Sequence, residues 1–219
     1  IDELKNIARN NGIVGAGGAG FPAYAKMTEK ADTVILNCVE CEPLLKLHRQ
    51  LLATHTEEII QMLDEVRESF GAKEAVIGIK SEYVTTIKAI EEVIGDFPNV
   101  RICALKAAYP MGDEVVLIYE ATGRVIKPGG LPIDENVVVY NVETMYNLYR
   151  AVHLNIPVTN KLVSIVGEID HPLTVRVPLG TTVKEAISLA GKITVEDPAY
   201  VMGGPMMGRL GTENTVITK

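Results

Sequence analysis

From Thr33 to Lys106 the chain alternates strand and helix, and that alternation limits the folds open to it more than any other feature. The stretch "ADTVILNCVECEP" carries the apolar run Thr33-Val34-Ile35-Leu36 and leaves into a loop at Asn37. From Leu44 to Phe70 the pattern is helical, with Ile59, Ile60, Leu63 and Val66 on one face and Gly71 as C-cap. "EAVIGIK" reads as a second strand, 82–94 as a helix and "NVRICALK" as a third strand. Such β-α-β-α-β order predicts a mostly parallel sheet covered by helices. A helix near 112–122, the breaker-rich "GRVIKPGGLPIDEN", the strand "VVVYN" and the helix "VETMYNLYRAV" continue the pattern.

The rhythm changes near residue 155. "NKLVSIVGEIDHPLTVRVPLGTTVKEAISLAG" reads as a strand, a turn at Asp170-His171-Pro172, a second strand and a helix capped by Thr181 or Thr182. A hairpin does not extend a parallel sheet easily, so a separate core on Val163, Ile165, Val175, Val177 and Ile187 is expected. The chain therefore reads as an α/β domain over residues 1–156 and a small β-grasp module over 157–219.

The net charge of −7, scattered basic residues, 5% aromatic content and the absence of Trp argue against a nucleic-acid partner. No apolar run approaches the roughly 18 residues of a membrane span. Three cysteines (Cys38, Cys41, Cys103) make a poor disulfide framework and point to a reducing, cytoplasmic setting. The ending "NTVITK" reads as the edge of a fragment of a longer protein.

Within "GIVGAGGAGFPAYAK", Gly15, Gly17 and Gly20 fall at G-x-G-x-x-G spacing. A dinucleotide fingerprint follows a strand and opens a helix. Upstream, however, Leu4, Ile7 and Ala8 recur at helical spacing and Asn10-Asn11-Gly12 ends a helix, while Phe21-Pro22 interrupts downstream. The spacing fits that fingerprint, but the context does not. Cys38 and Cys41 form a C-x-x-C flanked by Glu40 and Glu42, with no second pair to complete a metal site, so they read as loop residues. His48, His55, His153 and His171 show no ligand spacing and read as surface residues. What remains are four loops at strand ends or helix starts: "GAGGAGFP", "NCVECEP", "YPMGDE" and "NVET". Glycines let backbone N–H groups approach a phosphate, Lys26 adds a point charge, and Asn and Glu side chains can bond flavin or ribose edges.

Taken in order, "GAGGAGFP…K", "N..ECEP", "YP.GDE..LIYE.TGR..P.GG.P" and "NVET" resemble the RnfC-like family. More distantly they are similar to the NADH-binding flavoprotein subunit of respiratory complex I. "VSIVGEIDHPLTVRVPLGTTVKEAISLAG…VMGGPMMG" resembles that family's SLBB module, a β-grasp domain. Within the family the match leans toward the soluble branch of cobalamin reductases and proline-reductase-associated electron-transfer proteins. The resemblance implies a Rossmann-like flavin domain that binds FMN, takes hydride from NADH and passes electrons to iron–sulfur clusters outside this chain. It places Gly15, Gly17, Gly18 and Gly20 along the FMN phosphate and the NADH path, with Phe21 beside them and Lys26 on the phosphate side. Asn37 and Asn141 would contact the flavin or its ribityl chain from two sides. Glu40 and Glu42 match the acidic pair beside flavin and nicotinamide nucleotide, and Asp113 and Glu114 a second acidic loop. The implied partners are NADH and a redox partner protein or corrinoid acceptor, with association to a membrane complex open. Ala16 stands where complex I carries Arg, and Val39 where it carries an acid. An alternative is therefore a non-catalytic interaction scaffold with a decayed flavin site.

Overall fold

The computed structural model describes residues 1–218. Helix α1 (Asp2–Asn10) buries Ala8 and ends at Asn11, followed by Gly12 at φ 67°. The glycine loop leads into the single turn α2 (Ala23–Lys26) and then strand β1 (Thr33–Cys38). Helices α3 (Leu47–Thr54) and α4 (Thr56–Phe70) precede β2 (Glu74–Lys80), α5 (Val84–Val93) and β3 (Val100–Leu105). Helix α6 (Glu114–Thr122), β4 (Val137–Asn141) and α7 (Val142–Leu154) complete the α/β part. The four strands form one parallel sheet in the order β3-β2-β1-β4. β1 and β2 are buried along nearly their whole length, which is why they read as continuous Val/Ile/Leu runs rather than as alternating patterns. Gly78 in β2 gives Leu117 of α6 its place. A Cβ there would lie 2.5 Å from Leu117 Cδ1.

The helix expected over 44–70 is two helices. Thr54 Oγ1 bonds the Gln50 carbonyl, and Thr56 Oγ1 bonds those of Leu52 and Ala53. Hydroxyls that compete for helix carbonyls bend or break the ladder, and His55, at φ −125°, becomes the N-cap of α4. The C-cap of α4 at Gly71 has φ 68°. Ile59, Ile60, Leu63 and Val66 are fully buried, as the periodicity requires.

The chain divides into two compact units. Residues Ile1–Cys41 and His48–Val158 form the first, and Glu42–Leu47 joins the residues from Thr159 onward in the second. In the second unit β5 (Asn160–Ile165) pairs antiparallel with β6 (Leu173–Pro178). Helix α8 (Val183–Ser188) follows, and β7 (Tyr200–Met202) pairs with β8 (Arg209–Gly211). Thr182 caps α8 in a capping box, its hydroxyl accepting the Glu185 N–H while Glu185 Oε2 accepts the Thr182 N–H. Val177, Ala186 and Ile217 form the buried core, with Val163, Ile165 and Val175 packed on it. Ile187 stays half-buried, and Ile217, from beyond the helix, takes the inner place instead.

Candidate functional site

From β1 the chain builds outward through β2 to β3, then returns to place β4 on the other side of β1. The carboxyl ends of β1 and β4 therefore flank the point where the winding direction reverses, the usual ligand crevice of an open α/β sheet. The last residue of β4, Asn141, pairs in register with Asn37 of β1. Two amides thus stand side by side at that crevice.

Each is held by protein. The Asn37 oxygen accepts the Val39 N–H at 2.9 Å, and its nitrogen donates to the Gly112 carbonyl at 3.0 Å. Gly112 N–H in turn donates to Cys41 Sγ at 3.0 Å. A Cβ at Gly112 would lie 2.3 Å from the Val39 carbonyl oxygen, so only glycine allows the two loops to meet. Beyond Gly112, Asp113 caps α6 by accepting the Val115 and Val116 N–H groups. The Glu114 carboxylate pairs with Lys26 at 3.2 Å. Lys26 also donates to the Val139 carbonyl on β4 at 3.2 Å, so two of its three donors are engaged.

The glycine loop is a turn closed at its neck, without a strand feeding it. Val14 and Pro22 form an antiparallel bridge and Gly15 N–H donates to the Phe21 carbonyl. Gly20 has φ 72°, a conformation that favours glycine, and the Phe21 ring is exposed. Thr144 pins the loop to α7: its hydroxyl accepts the Ala16 N–H and donates to the Val14 carbonyl. Gly17 lies against Asn141, where a Cβ would fall 2.6 Å from the amide nitrogen. At Gly18 a Cβ would meet no protein atom within 4 Å. Gly17 is needed by the protein, whereas the space over Gly18 is open.

Glu40 is buried and accepts the His48 N–H at 3.0 Å, with Arg49 Nε 3.6 Å from its other oxygen. Among the described residues that second oxygen, Oε2, has no hydrogen-bond partner. Burial pushes the carboxyl above its ordinary range, against the lowering pull of the His48 N–H and the Arg49 charge. Cys38 beside it is buried as well, and burial together with the Glu40 charge raises its thiol.

Of the residues singled out in the sequence, Gly15, Gly17, Gly18, Gly20, Phe21, Lys26, Asn37, Glu40, Asp113, Glu114 and Asn141 all belong to the first unit. Glu42 belongs to the second, where its carboxylate accepts the Met206 and Met207 N–H groups at 2.9 and 2.8 Å. Sequence reasoning missed His48 and Thr144. His48 has no ligand spacing, and only its place a few residues after the "ECEP" loop marks it. Thr144 closes the quoted "NVET".

The model of the Nuo51 FMN-binding domain matches residues 8–150, most of the chain. The chain belongs to the Nuo51 FMN-binding family. A second match, to the SLBB domain, covers residues 162–210. Among curated relatives of this flavoprotein family, the cobalamin reductase PduS of Citrobacter freundii is 40% identical over 99% of the chain and 48% of its own length. A component of the Na(+)-translocating ferredoxin:NAD(+) oxidoreductase complex of Acetobacterium woodii is 32% identical over 94% of the chain and 48% of its own length. The chain thus spans about half the length of these relatives. Among solved structures, a chain of NAD+-reducing [NiFe]-hydrogenase in the H2-reduced state shares the fold with a TM-score of 0.76 and 22% identity, over 92% of this chain and 40% of that one.

The residues present fit FMN. The turn of four glycines, open at Gly18, and the third donor of Lys26 suit a phosphate, while the paired amides and nearby carboxylates suit the polar edges of a flavin. No helix among the described residues is long and apolar enough to cross a membrane.

Proposed function

We propose that this chain is the FMN-holding core of an NADH-dependent, cytoplasmic electron-transfer protein. The observation that carries the reading is the glycine turn packed by Gly17 on Asn141, which pairs in register with Asn37 at the reversal point of the sheet, with Lys26 bonded to the same strand at Val139. Gly15, Gly17, Gly18 and Gly20 present backbone to the flavin phosphate, and Lys26 neutralises part of its charge. Asn37 and Asn141 bond the ribityl chain or ring, and Phe21 offers an exposed aromatic face beside the turn. Asp113 and Glu114 make the surroundings acidic, which opposes excess negative charge on the bound group, and the buried Glu40, held toward its protonated form, adds a carboxyl beside them. Bound FMN supplies the conversion between hydride taken from NADH and single electrons passed on to iron–sulfur clusters elsewhere in the protein.

The relatives' names supply the range of acceptors: a corrinoid, as in the cobalamin reductase, or a ferredoxin-linked, ion-translocating complex. The flavin site is assigned to the motif residues within 1–156, and the motif carries Glu42 to the nicotinamide nucleotide.

The test is titration of the flavin-free protein with FMN, followed by flavin fluorescence, for the native chain and Gly18→Val. Saturable binding that the substitution weakens supports the reading. Equal affinity of the two proteins overturns the placement of the phosphate on the glycine turn, and no binding by the native chain overturns the flavin reading and favours a non-catalytic scaffold.

A further inference from the structure

The glycine turn rests on Asn141, and Asn141 rests on His48. The Asn141 oxygen is committed to α7, where it accepts the Glu143 N–H at 2.9 Å as the N-cap. With the oxygen so fixed, the amide nitrogen faces the other way. It lies 3.2 Å from His48 Nε2 and 3.5 Å from Nδ1, against the imidazole between its two nitrogens. On the same spot sits Gly17, whose added Cβ would fall 2.6 Å from the amide nitrogen and 3.4 Å from His48 Cε1. Imidazole, amide and loop backbone are stacked without space for a methyl group.

An amide nitrogen carries only donors. A neutral imidazole meets it with lone-pair and ring electron density, whereas an imidazolium carries N–H on both nitrogens and sets donors against donors. The amide could satisfy an imidazolium only by turning its oxygen round, and that would abandon the cap of α7 and the surface on which Gly17 lies.

We propose that His48 is a positioning residue for the flavin site, holding the Asn141 amide in the one orientation that both caps α7 and supports the glycine turn. This rests on the flavin reading for what the site binds, but not for the link between His48 and Asn141. Several charged or titratable groups face this assembly. Glu40, in the loop before α3, accepts the His48 backbone N–H. Arg49, next on α3, lies 3.6 Å from the Glu40 carboxylate. Glu143 follows Asn141 on α7, and Cys38, Lys80 and Tyr83 border the Glu40 carboxylate. His48 is the member whose ordinary range, near pH ~6.5, falls between mildly acidic and neutral conditions. Acidification through that range releases Asn141 and loosens the loop. By linkage, a ligand held by the ordered loop favours the neutral ring.

Two measurements on the native protein and His48→Gln test this. Glutamine offers a carbonyl to the Asn141 amide but does not titrate. In flavin-free protein, the side-chain amide resonance of Asn141, assigned by its loss in Asn141→Ala, should shift with a single midpoint in the imidazole range and should stay fixed in His48→Gln. No shift in the native protein, or the same shift in the variant, overturns the proposal. In the second measurement, the ratio of FMN dissociation constants at pH 5.5 and 7.5 should be about fivefold larger for the native protein than for the variant, the worth of one N-cap. The second ionisation of the FMN phosphate, near pH ~6, affects both proteins alike and cancels. Equal ratios overturn the positioning role. If the native chain takes up no FMN at any pH, the flavin reading falls, and the amide titration still decides whether His48 holds Asn141.

Discussion

Gly112→Ala and Gly18→Ala are the same chemical change in two loops of one site, and the structure gives them different consequences for stability. At Gly112 the new methyl carbon would lie 2.3 Å from the Val39 carbonyl oxygen and 2.7 Å from Cys41 Sγ. Ordinary contact needs about 3.5 Å, so the loops must part by about 1 Å. Val39 oxygen is backbone and cannot turn aside. Parting strains both bonds that Gly112 makes, its N–H to Cys41 Sγ and its carbonyl to Asn37 Nδ2. Overpacking costs about 1–3 kcal/mol, and each weakened bond up to about 1 kcal/mol. A loss of about 2–4 kcal/mol is expected, a large share of the ~5–15 kcal/mol that holds a typical domain together. Gly18→Ala meets no protein atom within 4 Å and should change stability by less than about 0.5 kcal/mol.

Urea unfolding followed by circular dichroism, at constant slope, gives both numbers. FMN titration of the same samples adds the binding side, and stability separates the two variants. Gly112→Ala should lose stability and, through the displaced Asn37 amide, flavin affinity. Gly18→Ala should keep its stability and lose affinity. A Gly112→Ala protein as stable as the native one would refute the packing argument. A Gly18→Ala protein that binds FMN normally would refute the assignment of the phosphate to the open side of the turn.

Two further outcomes follow from individual carboxylates. Burial raises the Glu40 carboxyl above its unfolded range near ~4.3, so the folded state holds a proton there that the unfolded chain releases; the stability this contributes is present at low pH and lost as pH rises. Glu40→Gln should therefore gain on the native protein steadily from pH 4 to 7 in urea unfolding, and a pH-independent difference between the two would refute the assignment. Glu42→Ala removes the acceptor shared by the Met206 and Met207 N–H groups, so limited proteolysis should cut faster within 42–47 and 203–208, with the NADH constant of the whole protein unchanged if the carboxylate serves only as a clasp. An unchanged cleavage pattern with a raised NADH constant would support Glu42 as a nucleotide contact instead.

What could be read from the sequence was what depends on neighbours along the chain. The buried runs of β1 and β2, the Gly71 cap, the Thr182 capping box and the β5–β6 hairpin each follow from residues within a few positions of one another. The loops at the carboxyl ends of β1 and β4 were legible for the same reason, since strand-then-helix order fixes where ligand loops must lie. The break at His55 was not, because the apolar spacing continues through it and only the hydroxyls of Thr54 and Thr56 decide otherwise. Nor were the partners within the site. Lys26 reads as a free phosphate ligand until Glu114, 88 residues away, is seen to share its charge.

The acidic pair shows the limit most plainly. Glu40 and Glu42 are two residues apart and chemically almost identical, so any argument from residue type must give them related roles. They fall in different units. Glu40 folds under α3 into a desolvated position that favours its protonated form. Glu42 opens the segment that joins the second unit, and its carboxylate closes on two adjacent amides beside Gly204. Gly204, at φ 91°, leaves the space a side chain would take from that carboxylate: a Cβ there would fall 2.3 Å from Glu42 Oε2. A glycine far downstream thus determines what Glu42 can do, and no pattern local to "ECEP" carries that information.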